Sequence, residues 1–133
     1  VGGNVEEVNG VQGACIKNVS PSNDINSIFS QTKCFLHISR AEGMSYALLE
    51  ALYSGLPVIV SDIEENMIAK EFPTAIMVKS GDVLEIRNAM EDLKRNNFKI
   101  QPSAVQKTRE IIEEKYSIDF WAKRILTIYK TFE

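Results

Sequence analysis

With 133 residues, a net charge of −3 and 44% hydrophobic residues, the chain has room for one domain with a real core and is short for a complete two-domain enzyme. The charge argues against nucleic acid as the main partner, because phosphate-backbone binders carry a basic excess. No apolar run approaches the length of a membrane span, no signal-peptide pattern lies in the opening residues, and Cys15 and Cys34 among apolar neighbours suggest buried free thiols rather than a disulfide framework or a zinc site. A reducing cytoplasm is the expected compartment.

Val1-Gly2-Gly3-Asn4 reads as the end of a strand running into a glycine turn, and residues 14–19 as a strand with Cys15 and Ile16 in the core. Ser20-Pro21-Ser22-Asn23-Asp24 is loop chemistry, with Ser22 or Asn23 as N-cap of a helix that buries Ile25, Ile28 and Phe29. Residues 34–38 are an apolar run too short for a helix, hence a buried strand. After the loop 39–43, apolar residues recur at Met44, Leu48, Ala51 and Leu52, which is helical spacing; Gly55 stands where a left-handed cap is wanted and Pro57 where a helix cannot continue. Val58-Ile59-Val60 is a second strand, closed by Ser61-Asp62. Strand, loop, helix, turn and strand make a βαβ unit, expected to cross over right-handed, with its loop at the carboxyl end of a parallel strand, where open α/β sheets bind ligands.

Further along, a helix is predicted from Ile63 through Met67, Ile68 and Phe72, then a short strand over 75–78. Asp82 caps a helix whose apolar face is Val83, Ile86, Ala89, Met90 and Leu93, and Lys94-Arg95-Asn96-Asn97 ends it. Pro102-Ser103 starts the next helix, through Val105, Ile111 and Ile112, with Arg109, Glu110, Glu113, Glu114 and Lys115 as a solvated face. Ser117 caps a last helix, where Trp121, Ile125, Leu126, Ile128, Tyr129 and Phe132 form a broad apolar surface. That surface packs either on a partner domain or on this domain's own sheet.

Glu42 falls at the mouth of the central helix and Glu50 eight residues later, about 12 Å along a helix axis at the usual rise. First-turn N–H groups near Gly43, Met44, Ser45 and Tyr46 would lie between them, and such a terminus attracts phosphate. Acids on either side of an anion site, separated by roughly the length of a diphosphate, suit a nucleotide sugar, one holding sugar hydroxyls and the other ribose hydroxyls. Gly43 lets a ligand approach the backbone closely.

Glu42-Gly43-Met44-Ser45-Tyr46-Ala47-Leu48-Leu49-Glu50-Ala51-Leu52, followed by Gly55-Leu56-Pro57-Val58, resembles the E-x7-E signature of retaining glycosyltransferases of the GT-B fold, the glycosyl transferases of group 1. Ser39 stands where that family has its loop-opening Ser, and the likeness continues at Ser61-Asp62, Ser80-Gly81-Asp82, Tyr116-Ser117 and Ile128-Tyr129. The resemblance implies an α/β, Rossmann-like parallel sheet flanked by helices. It implies that residues 1–133 are a single C-terminal nucleotide-sugar-binding domain, without the N-terminal acceptor domain and without its own first βα unit. It implies transfer of a hexosyl group from a nucleoside diphosphate sugar to an acceptor hydroxyl, in polysaccharide biosynthesis, with the chain alone inactive. By the same resemblance Glu42 is the catalytic-site residue facing the donor sugar, Glu50 binds the ribose, and the amides of Gly43, Met44, Ser45 and Tyr46 hold the diphosphate.

The loop over 19–23 would border the base through backbone atoms, and the last helix would reach back to the acceptor domain. No cofactor and no metal are implied, and membrane contact is peripheral at most. Where many members carry Gly-Gly near the donor phosphates this chain has Glu64-Glu65, which argues against close backbone approach there.

Three other readings use the same residues. Asp62-x-Glu64 is a possible metal-binding acid pair, although acids are common in a helix first turn. The chain could be a non-catalytic nucleotide-sugar-binding or assembly module. It could also be an epimerase of the same fold, for which His37, alternating with Leu36 and Ile38 and more simply packed, is an unconvincing base.

Overall fold

A computed structural model describes residues 24–132. The expectations for Val1 to Asn4, the strand over 14–19, Cys15 and the base-bordering loop over 19–23 lie outside the described residues. Three short parallel strands, β1 (Phe35–His37), β2 (Val58–Ser61) and β3 (Ala75–Val78), lie side by side in the order of the chain. Phe35 is in register with Val58, and Val58 with Ala75. Helices α1 (Ile25–Ser30), α2 (Tyr46–Tyr53), α3 (Val83–Arg95), α4 (Pro102–Lys115) and α5 (Ile118–Lys130) flank the sheet, which is the Rossmann-like α/β layout of one half of a GT-B fold.

The reason β2 is central is visible in its residues: Val58, Ile59, Val60 and Ser61 are all buried, as an apolar run covered on both faces must be. β1, at the edge among the described strands, is only half-buried. The principal core joins Leu48, Leu49, Ala51 and Leu52 of α2 to Val58, Val60, Phe29, Phe72 and Ile111, and a smaller cluster on the other side of the sheet joins Ile59, Val78 and Leu93.

Several local expectations are met by named hydrogen bonds. α2 stops in a Schellman turn: Gly55 adopts φ of +86°, its N–H donates to the Leu52 carbonyl, and the Leu56 N–H reaches back to Ala51. α3 is capped by Asp82, whose carboxylate accepts the Glu85 N–H. It ends in the same motif with Asn97 left-handed, the Asn97 N–H bonding Lys94 and the Phe98 N–H bonding Leu93. Pro102 opens α4 and Ser117 caps α5.

Others are corrected. α1 is capped by Asp24, not Ser22 or Asn23, and of its apolar residues only Phe29 is buried while Ile28 is exposed. The helix after Ile63 is a 3₁₀ helix (Glu64–Glu71).

On α3 only Leu93 is buried, whereas Val83 and Met90 are exposed. No residue of α5 is buried: Trp121 is 62% exposed and Tyr129 70%, and Phe132 just beyond the helix is 83% exposed. Among the described residues that face is not buried on the sheet. No helix of the described residues is long and apolar enough to cross a membrane.

Candidate functional site

The carboxyl ends of the three described strands are tied together by small polar side chains. Ser39, two residues beyond β1, donates its N–H to the Ser61 hydroxyl at the end of β2 (2.9 Å). Its carbonyl accepts from the Ser80 hydroxyl beyond β3 (3.2 Å). Ser80 in turn donates its N–H to Asp62 Oδ1 (2.7 Å), and the Asn66 amide donates to the Ser61 carbonyl (3.1 Å). Ser61 and Asn66 are fully buried, so these bonds satisfy groups that would otherwise be costly to enclose. Asn66 Oδ1 and His37 Nε2 are buried without a partner.

Glu42 leaves this crown from the loop before α2. It is exposed, and Oε1 accepts a 2.6 Å hydrogen bond from the Ser39 hydroxyl. α2 starts later than its apolar spacing suggests. Ser45 is the N-cap, its hydroxyl accepting the Leu48 N–H and its carbonyl the Leu49 N–H, and Tyr46 is the first helical residue. Gly43 and Met44 therefore belong to the loop, Met44 exposed, and nothing lies within 4 Å of where a Gly43 side chain would begin. The N–H groups of Tyr46 and Ala47 are the ones left without acceptors inside the helix. The 12 Å axial spacing between Glu42 and Glu50 does not apply, because only the half from Tyr46 onward is helical. A serine outcompetes an apolar residue for the cap, since its short side chain can mimic a backbone acceptor.

Glu50 is exposed on α2, and its carboxylate has no bonding partner among the described residues. It lines a hollow of about 240 Å³ with Asn26, Tyr46, Tyr53, Ile112 and Tyr116. Glu42 does not line that hollow. A larger one, about 480 Å³, adjoins it through Tyr46 and Tyr116 and continues over Met44, Phe120, Trp121 and Arg124. Tyr46, 72% exposed, is thus the residue shared between the helix mouth, the Glu50 hollow and the α5 side.

The remaining candidates have structural work. Asp62 braces β2 to β3, and no three His, Cys, Asp or Glu side chains gather in a metal-binding group among the described residues. His37 stacks on Phe35 with ring centroids 6.2 Å apart, and its buried Nε2 has no hydrogen-bond partner among the described residues. Burial pushes the Cys34 thiol above its ordinary pKa, which leaves it a poor nucleophile. Behind α2, Arg109 donates to the Tyr53 carbonyl (2.9 Å) and its guanidinium lies 5.7 Å from the centroid of that ring, while the Tyr53 hydroxyl donates to Glu113 (2.8 Å), fastening α2 to α4. The hydrogen bond to Glu113 raises the Tyr53 pKa, so the phenol stays protonated.

A family model described as Glycosyl transferases group 1 matches residues 2–96, which includes β1, α2, β2, β3 and all of the strand-end crown. The chain belongs to the group 1 glycosyl transferases. No curated protein and no solved structure matches it. For a group 1 glycosyltransferase the roles of Ser61 and Ser80 were the part that pattern reading passed over. The available signal was that each of three short apolar runs is followed within a few residues by a serine, Ser39, Ser61 and Ser80.

Proposed function

We propose that this chain is the donor-binding domain of a retaining glycosyltransferase that moves a hexosyl group from a nucleoside diphosphate sugar to an acceptor hydroxyl. The observation that supports it most is the open N-terminus of α2, with free Tyr46 and Ala47 N–H groups at the carboxyl edge of a parallel sheet, flanked by Glu42 and Glu50 in a group 1 family member. The Glu42 carboxylate accepts from the sugar hydroxyls and supports positive charge developing at the sugar. Glu50 accepts from the ribose hydroxyls. The amides of Gly43, Met44, Ser45 and Tyr46 line the path of the diphosphate, and the helix dipole stabilises the charge that grows on it as it leaves.

The bare apolar face of α5 is the surface on which we place an acceptor domain, and the reaction needs that domain to hold the acceptor whose hydroxyl attacks. No metal and no cofactor take part in this scheme. The chain alone binds donor weakly and turns over nothing.

Titration with nucleoside diphosphates and their hexose esters, read by amide shifts over 43–50, tests the division of labour. Glu50→Ala should weaken every ribonucleotide alike, by about tenfold, the worth of a hydrogen bond to a charged group. Glu42→Ala should weaken only the sugar-bearing ligands by a similar factor. Equal loss for both ligand classes on Glu42→Ala would contradict the assignment. If no nucleotide binds at all, the exposed face of α5 favours the second reading, a module that serves only to assemble with a partner chain.

A further inference from the structure

We infer that Ser39 is a positioning residue for Glu42: it fixes the orientation in which that carboxylate meets the donor sugar, and Ser61 and Ser80 hold Ser39 where it can do so. The inference rests on the donor-site reading above and adds to it a residue that sets donor selectivity without touching the nucleotide.

Both backbone polar groups of Ser39 are engaged by neighbouring strands. Its N–H is held by the Ser61 hydroxyl, and Ser61 is fully buried and cannot drift. Its carbonyl is held by the Ser80 hydroxyl. These two bonds leave the Ser39 side-chain torsion as the principal freedom at this position. The hydroxyl it carries then donates to Glu42 Oε1 at 2.6 Å, within the short range of a hydroxyl bonded to a carboxylate. Glu42 is on an exposed loop with several rotatable bonds, and no other hydrogen bond of its carboxylate is formed among the described residues. A carboxylate group has about four acceptor sites, so one bond from Ser39 anchors the group and leaves the second oxygen and a further site on Oε1 for sugar hydroxyls.

A capping box, the ordinary use of a Ser three residues before a Glu, does not account for the bond. There the Ser side chain accepts from the backbone N–H of the Glu at a helix start, whereas here it donates to the side chain, and α2 begins only at Tyr46. Glu50 offers the contrast. The nearby Ser54 hydroxyl bonds the Glu50 backbone carbonyl (2.8 Å), not its carboxylate, so any orientation of that acid comes from the ligand.

The test is competitive titration of the full chain with the diphosphates of uridine, adenosine and guanosine and with their glucose and mannose esters, the readout being the ratio of the two affinities. Ser39→Ala should weaken the sugar-bearing ligand by about threefold to tenfold and leave the bare diphosphate within roughly twofold, because Glu42 must then be ordered at the moment of binding and only the sugar calls on it. Ser39→Thr, which keeps the hydroxyl, should restore the ratio. The double variant Ser39→Ala/Glu42→Ala should be no weaker than Glu42→Ala alone, as expected when one residue acts through the other.

Should Ser39→Ala unfold the chain, Ser39→Cys supplies a near-isosteric side chain with a weaker donor and should fall between wild type and the loss seen with Glu42→Ala. Equal loss for both ligands, additive losses in the double variant, or an unmoved ratio beside a clear Glu42→Ala effect overturns the inference alone. A wild-type chain that binds no nucleotide sugar overturns the donor site and this inference together.

Discussion

α2 and α5 are both amphipathic helices with a serine at the N-cap, and the domain treats them oppositely. Four of the eight residues of α2 are buried, between the sheet and α4, whereas none of the thirteen residues of α5 is. On α5 the apolar residues Ile118, Trp121, Ile125, Ile128 and Tyr129 recur at helical spacing as on any core-facing helix, yet all but Ile125 are exposed. An apolar stripe says that a face needs cover. It does not say that the cover comes from the same domain.

Truncation at matched leucines should separate the two helices most sharply. Leu52, fully buried in the principal core, should cost about 2–5 kcal/mol when replaced by Ala, the range for a core leucine that leaves a cavity. Leu126, 59% exposed, should change stability by no more than about 0.5 kcal/mol on the same replacement. Urea unfolding of both variants gives the comparison directly. A Leu126→Ala loss that approached the Leu52→Ala loss would mean that the α5 face is already covered in solution.

The packing of α2 against α4 can be graded with two glycines that share a dihedral but not a neighbourhood. Gly55 has φ of +86° and a side chain there would start 3.0 Å from Val105 Cγ1 of α4, while Gly81 has φ of +81° and open space around it. Gly81→Ala should cost the left-handed conformation alone, about 1 kcal/mol. Gly55→Ala should cost that and a further displacement of Val105, about 1–3 kcal/mol more for an overpacked contact. Equal costs would show that Val105 moves aside freely and that this contact adds nothing to the hold of α4 on α2.

How much of this was legible in the sequence follows the range of the interactions. The turn at Gly55, the caps at Asp82 and Ser117, the start at Pro102 and the short apolar strands depend on near neighbours, and they stand where local chemistry puts them. The start of α2 was misplaced because Met44 continues the apolar spacing, whereas Ser45 competes locally for the first N–H groups. Of the proposed site, Glu42 and Glu50 are the two acids that the motif resemblance offers. The bonds from Ser61 and Ser80 to Ser39 are not, because they join residues 22 and 41 positions apart. The same holds for the buried Thr74–Thr108 hydroxyl pair (3.2 Å), which a polar residue in a helical pattern does not announce.

The smallest effect should come at the corner where α4 hands over to α5. Glu71, at the end of the 3₁₀ helix, pairs with Lys115 in the last turn of α4 and accepts from the Tyr116 hydroxyl (3.1 Å), one residue before the α5 cap. The hydrogen bond from Lys115 leads in holding the Glu71 carboxyl below the usual carboxylate range. Partial desolvation opposes it, and the Tyr116 hydroxyl and the Lys115 charge assist. A carboxyl whose folded pKa is depressed stabilises the fold above its unfolded value and loses that contribution as pH falls through the folded one. Because the Glu71 side chain is 37% exposed and the Lys115 side chain 53%, solvent screening limits the contribution to less than about 1 kcal/mol. The unfolding free energies of wild type and Glu71→Gln should therefore differ slightly and constantly at neutral pH, then converge as pH drops below about 4.3, the ordinary glutamate value. Added salt should shrink the neutral-pH gap in the same direction. A gap that persisted unchanged to low pH would assign the cost to lost packing at Tyr116, and the corner would then join α4 to the 3₁₀ helix by shape and not by charge.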